Sequence, residues 1–588
     1  MNSLVLALIA FSGYLIAYHT YGKFLGRKLF GLANKNPMPS HELEDGVDYV
    51  PTKKHIIFGH HFATIAGLGP IVGPAIGVIW GWVPVLLWIF LGSIFMGGVH
   101  DFSSLVISAR HKGKTLGELT GDIISPSTRY AFQFIMQFLL WVVISIFAMI
   151  VGILFEMYPS AVFPVWMQIP IAIWLGWQIN RGKNDLGWSL IAVALLYVTV
   201  LIGAWLPLGL TPIYQHWIAD PAQARNLAIV TWVAILLIYV FFASTVPVHK
   251  LLQPRDFINT YQLIIAMFLL FLGVVVAHPV ITAPAVNPAI RQPGTDIPHL
   301  MPIMFITIAC GAISGFHSLA ASGTTVKQVD KEEDTLFVGY GGMLFESVLA
   351  FLVLMSVAAG MGMGMKENGH ILTGIAAYNE HYSSWVTASG LGAKLSAFVV
   401  GASNLMESYG IPENVGQAII AVFIVSFAGT TLDSAVRIQR LSLQEILTNR
   451  EGKIVKPFNN RYVATFLVVA LAALLAFSKP AAKGALILWP LFGSLNQLLA
   501  ALALAVVTVY LIIKKKNFWL TGIPMLFVLM FTLWSMIDNL IRFIRQNDIL
   551  LSVISAIILL LTGWLLTASV VSLIKRWRGK TVSGVMAN

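Results

Sequence analysis

Along this chain apolar residues come in long continuous runs separated by short polar stretches, with no sustained alternation of the two. The runs fall near 3–21, 58–80, 83–107, 130–155, 160–179, 187–206, 226–246, 260–279, 301–321, 336–363, 415–435, 461–477, 484–512, 518–537 and 549–574. Most approach the roughly 20 residues that a helix needs to cross a bilayer, and they are too long and unbroken for the ~10-residue alternating strands of a membrane barrel. They predict an all-α polytopic membrane protein with about 15 transmembrane helices. The first run, Leu4 to Tyr18, has neither a basic stretch before it nor a small-residue cleavage site after it, and reads as a retained helix. Gly392 to Glu407 is ambiguous: Lys394, Ser396, Ser403, Asn404 and Glu407 interrupt it, while Leu395, Phe398, Val399 and Leu405 keep helical spacing.

Composition identifies the solvent. Of 588 residues 57% are hydrophobic and 11% charged, against about 25% charged in a soluble protein, which excludes a soluble enzyme. The formal charge of +11 sits in short clusters between the runs, where it speaks for orientation in a membrane and against nucleic-acid binding. The richest basic loop holds Arg437, Arg440, Arg450, Lys453, Lys456 and Arg461. With that loop cytoplasmic, the N-terminus outside and the C-terminus inside, the clusters at Lys23 to Lys54, Arg110 to Arg129, Arg181 and Lys183, Lys250 and Arg255, Lys327 and Lys331, Lys514 to Lys516 and Lys575 to Lys580 all share its side. The parity requires Gly392 to Glu407 to lie flat or re-enter. No polar stretch is long enough for a soluble domain, and the single cysteine, Cys310, excludes an intrachain disulfide and a cysteine metal cluster.

Chemistry stands where membrane rules are broken. In the run from Phe58, Gly67, Gly69, Gly73 and Gly77 interleave with Pro70 and Pro74, a pattern that predicts an unwound stretch between half-helices, non-helical over Gly67 to Gly73. Residues 310–328 form a second discontinuous candidate, in which Gly311, Gly315 and Gly323 accompany Ser314, Ser318, Ser322, Thr324 and Thr325, with His317 among the hydroxyls. Two interrupted spans point to a midplane substrate site in a secondary transporter. The carboxylates read within spans are Asp101, Glu346 and Asp433. Asp433 lies one turn before Arg437 and reads first as an ion pair; Asp101 and Glu346 lack a local cation and are the stronger candidates for coupled protonation, with His61, His100 or His317 as partner. His60 and His61 are adjacent and the other histidines lie on separate spans, so no i, i+4 ligand pair exists; no ATP-binding or hydrolase motif is present either. Neither metal, cofactor nor enzymatic activity is expected.

At this point the strings FGHHFATIAGLGPIVGPAIGVIWG (58–81), GGVHDFSSLVISARHKGKTLGEL (97–119), LLQPRDFIN (251–259), CGAISGFHSLAASGTT (310–325), TTLDSAVRIQRLSLQE (430–445) and WPLFGSLNQLLAALAL (489–504) together resemble the carbon starvation protein A (CstA) family, in the family's order. The resemblance implies a prokaryotic cytoplasmic-membrane secondary transporter for pyruvate or small peptides, with the inverted-repeat core of the amino acid, polyamine and organocation superfamily. It also implies a large N-terminal part, placed at 1–410, and a five-helix C-terminal part at 411–588. The expected function is uptake of a small carboxylate, pyruvate first and a short peptide as the alternative, by ion-coupled alternating access. Proton coupling is expected; a sodium site using Thr324 and Thr325 competes with it, and a non-transporting nutrient sensor is the reading of a different class. The substrate site is expected at Gly67, Gly69, Pro70, Gly73, Ser314, Gly315, His317, Ser318, Ser322 and Thr324. Because no Lys or Arg is read at mid-membrane depth, backbone N–H groups of Gly69 to Gly73 or Ser314 to Ser318 and the hydroxyls of Ser318, Ser322 and Thr324 are expected to meet the carboxylate.

Overall fold

The computed structural model describes residues 2–33, 36–179, 181, 185–367, 369–449 and 453–577; Lys183, Arg450 and Lys580 of the basic clusters lie outside the described residues. Among the described residues twelve helices are long and apolar enough to cross a membrane by themselves, and Lys54–Ile65 with Gly69–Trp80 form a further span bent by 47°. The two remaining apolar runs are Arg461–Phe477, a shorter helix, and the pair Leu300–Thr307 and Gly315–Gly323, separated by a non-helical stretch. Each run becomes helix because hydrocarbon offers no partner to a backbone N–H or C=O, so the segment must satisfy its own. The helices differ in what surrounds them. In Leu336–Met363 and Pro480–Ile513 the apolar window is 89% buried, against 28% in Ile549–Lys575, whose Leu560 and Val570 face outward as a lipid-facing surface does.

The polar loops gather on two faces. On one, the Val50 N–H donates to the Lys327 carbonyl and the Thr52 N–H to the Gln328 carbonyl, at 3.1 and 3.0 Å. Here Asp48 bridges Arg437 and Arg440 (2.5 and 2.9 Å), and Arg110 pairs with Glu332 (2.7 Å). On the opposite face the Trp82 N–H donates to the Pro284 carbonyl (3.1 Å) and Lys366 pairs with Glu413 (2.6 Å). The first is hereafter the basic face.

Three elements recur in the same order between these faces. The broken span 54–80 runs from the basic face, where Lys54 pairs with Asp334 (3.5 Å), to the other, where the Trp80 carbonyl accepts from the Asn287 N–H (3.0 Å). Trp82–Ala109, of 28 residues, runs back, and Pro126–Met157, of 32, runs out again. The broken span 300–323, then Leu336–Met363 (28 residues) and Glu413–Ile446 (34 residues), repeat that order with every direction reversed. Both 28-residue helices carry π-helical turns, Ser93–Gly97 and Ser356–Gly360 among them. This is an inverted repeat with a broken span opening each half.

Leu391–Glu407 is a helix that does not cross. Gly392 lies beside Met157 and Glu407 leads into Glu413, so both ends belong to the face opposite the basic one. It is not a surface helix either, since Leu395, Phe398, Ala402 and Leu405 are wholly buried. A Cβ on Gly401 would stand 1.9 Å from the Ser356 carbonyl oxygen, so glycine is what lets this helix seat against the π-helical turn.

Candidate functional site

The first break is narrower than the Gly-Pro pattern predicts. It is confined to 66–68, and Gly69–Gly77 is helical, which corrects the expectation of a non-helical Gly67 to Gly73. The prolines explain the difference. Pro70 stands in the first turn, where no N–H donor is needed, and Pro74 removes one intrahelical bond, the one that would end on the Pro70 carbonyl. The second break spans 308–314, with Gly311 at φ +86°, a left-handed conformation that favours glycine. The breaks touch: a Cβ on Gly69 would lie 2.3 Å from the Cβ and Sγ of Cys310.

A cavity of about 520 Å3 begins at this contact and reaches Trp385 and Arg542 on the face opposite the basic one. Of the residues the sequence singles out, Gly67, Gly69, Gly73 and Ser314 line it; Pro70, Gly315, His317, Ser318, Ser322 and Thr324 do not. The hydroxyls are spent inside their own helix. Ser318 Oγ donates to the Gly315 carbonyl (2.8 Å), Ser322 Oγ to the Ser318 carbonyl (2.7 Å) and Thr324 Oγ1 to the Ala320 carbonyl (3.2 Å). At the start of Gly315–Gly323, Asn496 Oδ1 accepts from the Phe316 N–H (3.0 Å), and the Asn496 amide donates to Ser314 Oγ (3.0 Å). Asn496 thus takes up a donor that the sequence reading assigns to substrate.

Behind Cys310 lies a fully buried acid and histidine cluster. Asp101 accepts from His100 Nδ1 (2.7 Å) on one oxygen and from His317 Nδ1 (2.9 Å) on the other. The far side of the same ring, Nε2, stands 3.3 Å from Glu346 Oε2. Asp101 and Glu346, without a cation in their own sequence neighbourhood, therefore share one imidazole from the second broken span. Ligand atoms of Cys310, His317 and Glu346 lie within 4.8 Å of one another, and Cys310 also lines the cavity. His61 is bonded elsewhere, with Nδ1 2.9 Å from Thr325 Oγ1.

Asp433 is paired, but not with Arg437. Its partner is Arg255, and the Tyr239 hydroxyl donates to the same carboxylate oxygen (3.0 Å), while Arg437 reaches Asp48. Sequence reasoning missed three residues here. Asp256, in the second turn of Leu252–Ala277, is a further buried carboxylate and pairs with His60 Nδ1 (2.6 Å); it lies outside the apolar run near 260–279, and the signal is Arg255 beside Asp256 just before that run. The other two are basic: Arg255, near the start of Leu252–Ala277, and Lys394, in the first turn of Leu391–Glu407, are both buried close to helix ends, and Lys394 lines the cavity.

A family model described as carbon starvation protein CstA matches residues 2–535. A "Peptide transporter CstA" of Mycobacterium tuberculosis is 33% identical over 91% of this chain and 74% of its own length. A "Pyruvate/proton symporter BtsT" of Escherichia coli K12 is 30% identical over 91% of this chain and 81% of its own. Among solved structures, a manganese transporter of Eremococcus coleocola aligns with 91% of this chain and 99% of that one, at 13% identity and a TM-score of 0.43.

Proposed function

The chain belongs to the carbon starvation protein CstA family, and from that premise we propose that it is a prokaryotic cytoplasmic-membrane carrier importing a small carboxylate, pyruvate first, in symport with protons. The observation that carries the reading is the position of Cys310, on the cavity wall and against His317, so that a single side chain separates the substrate space from a buried cluster with two carboxylates. A proton on that cluster and an anion in that cavity are close enough to feel each other in a medium of low dielectric. The relative named as a pyruvate/proton symporter supports the same pairing. The basic face is assigned to the cytoplasm by the excess of Lys and Arg there, which makes the cavity an outward-facing one. Transport, with no covalent step, is the whole of the assigned activity. The relative named as a peptide transporter keeps a short peptide as the second reading, and a 520 Å3 cavity has room for one.

Purified protein in proteoliposomes tests the coupling. Asp101→Asn and Glu346→Gln are each expected to abolish accumulation of labelled pyruvate under an imposed ΔpH. Exchange against unlabelled pyruvate at equal pH is expected to persist in part, because exchange needs binding and reorientation but no net proton movement. Uptake that requires sodium and survives both substitutions sinks the proton scheme.

A further inference from the structure

The charge of the cavity wall is one-sided. Among the described residues its charged side chains are Lys394 and Arg542, and no Asp or Glu lines it. Arg542 is exposed at the rim, where it donates to Asn539 Oδ1 (2.9 Å) and lies over the Phe543 ring. Lys394 is different. It is 6% exposed, on the first turn of the re-entrant helix Leu391–Glu407, with Nζ 5.8 Å from the centre of the Trp489 ring. Among the described residues no hydrogen bond or ion pair is made by that ammonium.

An unpaired ammonium on so buried a side chain, its Nζ open only where it lines the cavity, keeps little of its hydration, and buried lysines are ordinarily paired for that reason. The aromatic face beside it offsets a part of the cost and holds the side chain against the wall. What is left is a cation whose missing partner must come from the cavity. The same wall, among the described residues, has no carboxylate for a second positive charge: the ammonium of a zwitterion placed here would find rings, hydroxyls and amide oxygens but no counter-ion, while Lys394 and Arg542 repel it, an arrangement that favours a lone carboxylate.

We propose that Lys394 is the counter-ion of the substrate carboxylate, and that it makes the cavity selective for an organic monoanion without an ammonium group. This rests on the reading of the cavity as the transport site. It replaces the hydroxyls of Ser318, Ser322 and Thr324 as the anion-recognising element, since those are engaged within their own helix.

Two measurements in proteoliposomes under an inward proton gradient test it. In the unmodified protein, uptake of labelled pyruvate is expected to be blocked by unlabelled pyruvate but not by equal concentrations of alanine, which carries an ammonium on nearly the same skeleton, or of dialanine. In Lys394→Gln the KM for pyruvate is expected to rise about ten- to a hundredfold, the range for losing a charge-assisted contact, with the maximal rate little changed. Lys394→Arg, which keeps the charge, is expected to stay within a few-fold of the unmodified KM. Competition by alanine or dialanine equal to that by pyruvate overturns the proposal without any variant. So does an unchanged KM in Lys394→Gln, which leaves the transport reading intact. Absence of uptake of any of the three compounds by the unmodified protein overturns both.

Discussion

At the scale of single residues, the contact between the two breaks is decided by what Gly69 lacks. Its missing Cβ is the space that the Cys310 side chain fills, with both Cβ and Sγ in the way of any larger residue. Gly69→Ala is therefore expected to push the second break away from the first and to lower pyruvate uptake at least tenfold, while the protein still reaches the membrane and purifies as a single species. Cys310→Gly removes both obstructing atoms, and the nearest backbone atom, Cys310 Cα, stands at 3.6 Å, an ordinary contact. The double variant should recover a substantial part of the lost activity, and a double-mutant cycle on uptake rates measures the coupling. Additive losses would mean that Gly69 acts through something other than Cys310. Gly67 faces the same constraint from another side, where a Cβ would meet Thr431 Oγ1 at 2.6 Å. The sequence makes these glycines conspicuous, and it makes Asp101, Glu346 and His317 conspicuous by their rarity in apolar runs. It does not disclose that one imidazole joins the two carboxylates, because that contact links residues on three separate spans.

At the scale of elements, the seam of the basic face holds one carboxylate that stays ionised through the working pH range, Asp48 between Arg437 and Arg440. Burial alone would raise the Asp48 carboxyl, but the Arg440 and Arg437 guanidiniums outweigh it and hold the group well below the usual carboxylate range. A carboxyl shifted down contributes stability that is complete above its unfolded pKa, near 3.9, and lost only as pH falls through the folded value. Asp48→Asn is expected to destabilise by about 3 to 5 kcal/mol, because two buried guanidiniums lose their counter-charge. The fall in Tm in detergent should be the same at pH 5.5 and pH 8; a difference that shrinks toward pH 5.5 would place the titration of Asp48 within the working range. Elements are also where the sequence was most legible. Apart from the two broken spans, each apolar run is helical, since length and composition suffice when lipid is the solvent. The extent of the first break is less legible, because proline's effect depends on its position: Pro70 costs nothing in a first turn, and Pro74, one turn later, costs one backbone bond without ending the helix. Leu391–Glu407 could not be placed from its pattern at all, since a helix buried among other helices and one crossing the lipid both mix small, apolar and polar residues.

At the scale of the whole molecule, the inverted repeat implies a second arrangement in which the basic face opens and the opposite one closes. Thr52 and Val329 pair as a parallel bridge across the closed basic face, at a separation that suits a disulfide between cysteines placed there. In Thr52→Cys/Val329→Cys, oxidation is expected to stop pyruvate exchange and a reductant to restore it; exchange that continues after complete cross-linking, measured by mobility on a gel, would show that this seam stays shut throughout the cycle. The imidazole shared by Asp101 and Glu346 has a consequence for energetics as well. With its ring charged and both acids ionised the trio carries one net negative charge, one added proton makes it neutral, and a second would leave a positive charge enclosed by apolar protein. With protons taken as the coupled ion, the neutral form of the trio corresponds to one proton carried per cycle. When that proton travels with a monoanion, no net charge moves across the bilayer, so the membrane voltage does no work on the step. For a carrier of that stoichiometry the limit of accumulation follows the pH difference alone, about tenfold for each unit, and a cell whose membrane is electrically charged but at equal pH on both sides would gain nothing from it.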